Sequence, residues 1–423
     1  MNLDRSDRTT QVRNVLLATP LDGLRVEPDG SLTGRPKACF SNAVALLESD
    51  PQLAGRLRWD QFTGAPQWRG DNGRWAPLSD ADLDALAELF GAQYRVHFAH
   101  DVLARATRRA ASLHPVHVVR EYLGHLPGWD GVQRARHLFA RYLGADDSAL
   151  TSEMCWRWLI SAVARVYQPG CKVDSMVVLV GGQAVGKSQF GRALAGEWFA
   201  ETPFALGDKD AYLNLEGVWI YELAELSATR RSDVESVKAF ISGRRDKLRR
   251  PYDRMPTTIE RQCVFLGSTN EEQFLTDPTG NRRFWPVTCR ATRDTTWQRI
   301  TELASVRDQV WAEVLTAYRA GERWILPERA EAELDEAHIE YQQQHPWKER
   351  VAEWLASPAG VMLARKGFLV THVLDHLDVP MHQRARHHSV QVCEVLRGLG
   401  CDRRTVRDGA EVSKRWFLRS AEQ

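Results

Sequence analysis

Several large protein classes are excluded by what this sequence does not contain. No apolar run approaches the roughly 20 residues that a membrane-spanning helix needs; the longest strongly apolar stretch is the short one from Met176 to Val180. The N-terminus shows no charged-then-apolar targeting pattern. Seven cysteines (Cys39, Cys155, Cys171, Cys263, Cys289, Cys393 and Cys401) are scattered singly without a CxxC pair. That argues against a structural zinc site or a disulfide framework, and it fits a reducing compartment. A soluble, cytoplasmic chain with no membrane partner is the expectation. Internal repeats and low-complexity tracts are missing as well. Net charge is almost absent: 56 Lys and Arg against 55 Asp and Glu leave +1. Any surface for a polyanion must therefore come from local clustering.

What is present is a chain of 423 residues, 43% hydrophobic and 26% charged, enough for a real core and for two or three domains. Residues 1–113 read as a small mixed region with a helical second half. An apolar segment from Val12 to Leu17 precedes a turn at Pro28, Asp29 and Gly30 and a helical pattern from Ser41 to Leu47. Asp80, Asp82 and Asp84 resemble a metal-binding acidic trio. Ser79 ahead of them and the stripe of Leu83, Leu86, Leu89 and Phe90 favour a capped helix start instead. A further helix, Ala99 to Ser112, carries Arg105, Arg108 and Arg109, which read as a solvated face.

From His114 the pattern becomes helical, broken at Pro127, Gly128 and Gly144, with an apolar helix from Trp156 to Val166. Met176–Val180 then reads as a buried parallel strand. It runs into Gly181-Gly182-Gln183-Ala184-Val185-Gly186-Lys187-Ser188, which matches GxxxxGK[ST] at every fixed place, and Gln189–Leu194 suits the helix that should follow. At average composition such a match arises by chance in on the order of one per cent of chains this long. Glycines let successive backbone N–H groups curl around phosphates, and the helix N-terminus adds positive potential. Lys187 is expected on the β- and γ-phosphates of ATP, and Ser188 on Mg²⁺. The fold class that follows is α/β, a P-loop NTPase with a parallel sheet flanked by helices.

Such a site needs an acid at the tip of a neighbouring strand and a carboxylate to polarise water. Val218–Tyr221 supplies a strand, Glu222 its tip, and Glu225 follows three residues on. The next buried strand, Cys263–Gly267, ends in Ser268, Thr269 and Asn270, and Asn270 can hydrogen-bond both a phosphate and a water. Beyond Asp277-Pro278-Thr279-Gly280 come Arg282 and Arg283, either of which can serve as an arginine finger toward an adjacent subunit or as an ordinary stacking arginine. Between the Glu222 and Asn270 strands, residues 238–254 hold seven basic residues against two acids. Ser242-Gly243 and Pro251 bracket this segment as a turn or hairpin. Arg244, Arg245, Lys247, Arg249 and Arg250 are its candidate DNA contacts.

Taken in order, these segments resemble the virulence-associated E (VapE) family of mobile-element P-loop proteins, related to superfamily 3 helicases. The resemblance rests on HPVHVVREYLGHLPGWDGVQRARHLFARYLGA from His114, PGCKVDSMVVLVGGQAVGKS from Pro169, VWIYELAEL from Val218, VKAFISGRRDKLRRPY from Val237 and CVFLGSTNEEQFLTDPTGNRRFWPV from Cys263. It implies a ring-forming ATPase, often hexameric, that translocates along single-stranded or forked DNA, with replication proteins as further partners. It makes Lys187 and Ser188 the Walker A pair, Glu222 and Glu225 the Walker B acids, Asn270 the sensor, and the segment around Lys247 the DNA-contacting hairpin. Many superfamily 3 members have the two acids adjacent; here they are three apart, so the division of labour between them stays open. The residues ahead of His114 hold no catalytic acid cluster, and priming activity is not expected. The competing reading is an ATP-gated oligomeric switch or adaptor acting in host–phage conflict without unwinding. A P-loop kinase is disfavoured because nothing reads as a lid or small-substrate pocket.

On these grounds the ATPase domain is placed at 114–345 and a C-terminal module at 346–423. In that module, helical patterns at Val351–Leu355, Val370–Leu377 and Ser389–Leu399 precede a basic two-stranded ribbon, the signature of a winged-helix-like unit. From Met381 onward it holds nine basic and five acidic residues, so it suits DNA or a protein partner equally.

Overall fold

The computed structural model describes residues 5–201, 210–224, 226, 231–249, 255–275, 281–342, 347–408 and 411–419. By its internal contacts the chain divides into two units, 1–340 and 341–423.

The first unit opens with α1 (Arg5–Ala18), the hairpin of β1 (Leu24–Val26) and β2 (Leu32–Gly34), and α2 (Phe40–Ser49). The turn at Pro28–Gly30 closes that hairpin, Asp29 accepting from the Ser31 N–H at 2.9 Å. Strands β3 (Leu57–Asp60), β4 (Ala65–Arg69) and β5 (Trp75–Pro77) form an antiparallel meander. Helices α3 (Asp80–Tyr94) and α4 (His100–Leu113) follow, and β6 (Pro115–Val116) then joins β3 in parallel. The apolar stripes of α3 and α4 meet Leu46, Leu47 and Leu57 in one buried core. Ser79 caps α3 in a reciprocal pair with Asp82, so this acid serves the helix start and not a metal.

Helices α5 (Val118–Gly124), α6 (Leu138–Leu143) and α7 (Ala149–Tyr167) lead to a second, larger core. After them come β7 (Met176–Val180), α8 (Lys187–Ala195), β8 (Phe199–Ala200), α9 (Asp210–Leu213) and β9 (Ile220–Leu223). Next are α10 (Arg231–Ile241), β10 (Arg245–Leu248), β11 (Thr257–Glu260), β12 (Val264–Thr269), β13 (Phe284–Thr288), α11 (Arg293–Arg319) and α12 (Glu328–Tyr341). Five of these strands form one sheet in the order β13-β7-β12-β9-β8, every neighbouring pair parallel. The result is a mixed α/β architecture with a parallel sheet flanked by helices, compatible with a P-loop-like fold. β7 is buried at all five residues, as a β-branched strand inside a parallel sheet must be. The indoles of Trp158 and Trp219 fasten α7 beneath the sheet, donating to Phe265 O at 3.0 Å and Ala162 O at 2.9 Å. The strand expected at Val218–Tyr221 starts two residues later. Trp219 lies just ahead of it, stacked on Trp311 with centroids 4.2 Å apart.

The basic segment divides between two elements. Lys238 lies inside α10 and is buried, whereas β10 and β11 pair as an antiparallel hairpin. At the root of the hairpin the Arg261 guanidinium donates to the Asp246 carboxylate through Nε at 2.6 Å and Nη2 at 2.8 Å, with both side chains almost fully buried. The Phe240 ring lies 4.8 Å from the guanidinium carbon.

The second unit holds α13 (Lys348–Ala356), α14 (Pro358–Lys366), α15 (Val370–His376), α16 (Arg386–Gly398) and the antiparallel ribbon of β14 (Cys401–Asp408) and β15 (Glu411–Leu418). Three of the helices answer to the sequence patterns. α14 is additional: Ser-Pro reads as a turn signal, but here Ser357 caps the helix through Gly360 N at 3.1 Å and Pro358 occupies its first turn. Phe368 bridges to Trp416 on the ribbon, and both rings sit in the unit's core with Val351, Leu374 and Leu396.

Replacing Asp246 by alanine leaves the buried Arg261 charge without its partner, which costs about 3–5 kcal/mol. A large fall in the thermal midpoint of the D246A chain is expected. A change no bigger than the roughly 0.5 kcal/mol of an ordinary surface substitution would show that this pair does not hold the hairpin root.

Candidate functional site

Strand order reverses at β7, whose neighbours are β12 on one side and β13 on the other. In open parallel sheets the crevice beyond the carboxyl ends of the strands at such a point is where ligands bind. The loop from Gly181 to Gly186 fills that position and delivers the chain into α8 at Lys187. Two of its residues have left-handed backbone: Gly186 at φ 90° and Ala184 at φ 63°. Such a conformation is costly for alanine and tends to persist where surrounding structure enforces it. At Gly186 a Cβ would lie 2.7 Å from Thr296 Cγ2 on α11, and at Gly181 it would lie 2.5 Å from Cys289 O. The loop is thus clamped between α11 and the end of β13, with the α8 N-terminus beneath it, a place that favours anions.

Four of the expected site residues converge here. The Lys187 ammonium donates to the carbonyls of Gly181 and Gly182 and to Asn270 Oδ1, the last two at 2.9 Å. Ser188 Oγ donates to Glu222 Oε1 at 3.0 Å. Ser268 Oγ donates to the same oxygen at 2.6 Å. Glu222 is 1% exposed, and its second carboxylate oxygen is buried with no hydrogen-bond partner. Burial holds its pKa above the usual carboxylate range, while the bonds from Ser268 and Ser188 pull the other way. Burial lowers the pKa of Lys187 and pushes the neighbouring Cys289 thiol up to about 12.

Ser268 belongs to this cluster but was not singled out from the sequence. The signal was strand alternation: Glu222 pairs with Leu266, and Ser268 two residues on shares that face. The cluster fits a hard cation, since an orphaned carboxylate oxygen stands beside a serine hydroxyl. Among the described residues no group of three or more His, Cys, Asp or Glu could hold a metal unaided. A cation at Ser188 and Glu222 would take its remaining oxygens from phosphate and water.

Other expected residues lie elsewhere. Glu225 and Arg250, with the turn at 277–280, fall outside the described residues. Arg282 and Arg283 occupy a short 3-10 turn just before β13. The register pairs Phe284 with Met176 and Thr288 with Val180, so these arginines sit at the opposite end of the strands from Gly181, about 20 Å of strand away. There they line a cavity of about 130 Å³ with Lys172, Asp174, Trp285 and Trp324. Among the hairpin residues, Arg244 Nε donates to Gly170 O at 2.7 Å and Arg245 pairs with Glu260 at 2.7 Å. Lys247 and Arg249 are exposed.

The loop, the buried acid and the sheet order can be set beside known proteins. A family model described as the virulence-associated protein E-like domain matches residues 123–343, more than half of the chain. The chain belongs to that family. The matched region contains every residue of the Lys187–Ser188–Glu222–Asn270 cluster and the β10–β11 hairpin. No curated protein matches the chain. Among solved structures, the apo C-terminal region of NrS-1 (305–718) shows 13% identity over 86% of this chain and 95% of that one, with a TM-score of 0.45. An A form of the same region gives 13%, 86%, 95% and 0.43. These likenesses are too remote to bear on what the virulence-associated E-like chain does.

A prediction follows from the buried carboxylate. Because the folded-state pKa of Glu222 lies above the ordinary value, its ionisation costs stability as pH rises through that pKa. The cost vanishes in acid, where the side chain is protonated both folded and unfolded. Without nucleotide or metal, Glu222→Gln should therefore raise the thermal midpoint near about pH 8, and the gain should shrink toward the ordinary Glu pKa of about 4.3. A gain that grew in acid would contradict this assignment.

Proposed function

We propose that this chain is an ATPase that converts ATP hydrolysis into movement along DNA, as a helicase or replication-initiation motor of a mobile genetic element. The observation that carries this reading is the joining of Ser188 on α8 to the buried Glu222 on β9, with Lys187 and Asn270 in contact beside them at the strand-order reversal. In this reading the amides of Gly181–Gly186 cradle the triphosphate, and Lys187 neutralises the β- and γ-phosphates. Asn270 reads the γ-phosphate and positions the attacking water. Mg²⁺ held by Ser188 and Glu222 would neutralise charge on the bridging phosphate oxygens. Burial disfavours the ionised form of Glu222, and a cation facing it would offset that, so Glu222 is proposed to serve the cation and Glu225 to be the base.

The DNA half rests on the hairpin and on family membership. Arg244, Arg245, Lys247 and Arg249 are all exposed; Arg244 and Arg245 are each bonded within the chain, to Gly170 and Glu260, so Lys247 and Arg249 are the proposed DNA contacts. Arg282 and Arg283, remote from their own chain's loop, are proposed to serve a neighbour's site in a ring, for which a hexamer is the expected form. The four helices and ribbon of residues 341–423 fit a winged-helix-like module, with Arg403, Arg404, Lys414 and Arg415 on the ribbon as its cationic surface.

ATP turnover should rise on adding single-stranded DNA, and Lys187→Ala should abolish it. The Lys247→Glu, Arg249→Glu double variant should lose the DNA response. Vigorous ATP hydrolysis indifferent to every nucleic acid would sink the motor and leave the nucleotide-gated switch.

A further inference from the structure

α11 begins at Arg293, directly after the segment that leaves β13, and its first turn closes over the glycine-rich loop. Thr296 Oγ1 donates to Ala184 O at 3.3 Å. Its methyl group and the Ile300 side chain are the atoms nearest to where a Cβ on Gly186 would stand. This helix start is braced from behind: Arg290 and Ala291 donate their N–H groups to Leu143 O at the end of α6, and Arg290 is bound to Asp146 at 2.7 Å. The next residue after Thr296 is Trp297, and it is 76% exposed. Every other tryptophan in the described residues is far less exposed, and most are packed against a core. A large apolar ring left in water on a rigid helix, one residue from the wall of an anion-binding loop, is a costly surface that a stacking ligand would cover.

We infer that Trp297 is the nucleobase platform of this site, its indole stacking on the base of the nucleotide whose phosphates the Gly181–Ser188 loop holds. The inference rests on the phosphate-binding reading of that loop and extends it to the other end of the ligand. The chemistry fits a planar base. Aromatic stacking is tolerant of base identity because every base has a π-face. The platform should therefore add affinity without strict selection of adenine over guanine. Thr296 positions the ring by tying the helix turn to the loop, so base and phosphate sites are held at a fixed separation.

The test is calorimetric titration of the full chain, in the presence of Mg²⁺, with two probes: the non-hydrolysable β,γ-imido analogue of ATP and inorganic tripolyphosphate, which has the charge but no base. Trp297→Ala should weaken the nucleotide analogue roughly tenfold or more, in line with the loss of one base–aromatic stack, and leave tripolyphosphate binding unaltered. Trp297→Phe should restore most of the loss. Because the side chain is exposed, neither variant should shift the thermal midpoint. Equal affinity of wild type and Trp297→Ala for the nucleotide analogue overturns the platform and leaves the loop reading intact. So does a matching loss for tripolyphosphate, or a change confined to oligomeric state. Failure of the wild-type chain to bind either probe overturns the loop reading itself.

Discussion

The site exists because β7 is paired in parallel on both sides, so that its five residues are fully enclosed and its far end has one way out. The register with β12 and β13 brings the ends of three strands to the same edge: Val180, Thr269 and Thr288. Gly181 can follow β7 only because it lacks a Cβ where Cys289 O stands. A slip of β12 by one residue would turn each of its side chains to the other face, separating Ser268 from Glu222 and exposing part of the core. The same register fixes a less convenient fact. Arg282 and Arg283 enter β13 from the opposite end, and no rearrangement of the loop could bring them to their own chain's Lys187 without unpairing the strand.

Against that rigid frame the polar residues are poorly satisfied. Glu222 is enclosed with one oxygen unpartnered, Lys187 is held with a lowered pKa by burial, and Ala184 occupies backbone that alanine disfavours. Each of these costs folding free energy. A cation and a polyanion arriving together would relieve the first two, since each provides the counter-charge that burial withholds. A site built this way would take the proposed metal–nucleotide pair as a unit, and its occupancy would add to the stability of the first unit.

The parts legible in the sequence were those with a local cause. Met176–Val180 announces a buried strand by composition, Ser79 announces a cap by its spacing to Asp82, and the loop announces itself by glycines and lysine at fixed places. Asn270 was legible just past the end of its strand, whereas Glu222, expected at a strand tip, lies one residue inside β9. What escaped depended on pairing at long range. Ser268 matters because Leu266 lies opposite Glu222, and Trp297 because α11 folds back over Gly186. Alternation along β12 can say which of its residues share a face, but which strand lies opposite, and that α11 returns over the loop, leave no trace in the neighbouring residues. Arg244 and Arg245 looked alike with Lys247 and Arg249 as a basic run, yet the fold employs the first two at Gly170 and Glu260.

That division bears on how a charged segment should be weighed. Seven basic residues between 238 and 254 suggest a strong polyanion surface, but Lys238 is buried in α10, and Arg244 and Arg245, though exposed, are bonded to Gly170 and Glu260. Pairing with Glu260 offsets the Arg245 charge, so the salt dependence of a single subunit should be somewhat shallower than the composition of the segment implies. A ring would recover the lost strength by repetition, each subunit adding its own Lys247 and Arg249. The buried Arg261–Asp246 pair gives such a hairpin a stiff base. The chain then passes from Arg261 through β12 straight to Ser268 and Asn270, the shortest covalent route between the proposed DNA contact and the nucleotide site. Coupling between the two halves of the proposed function would need no further element than that strand.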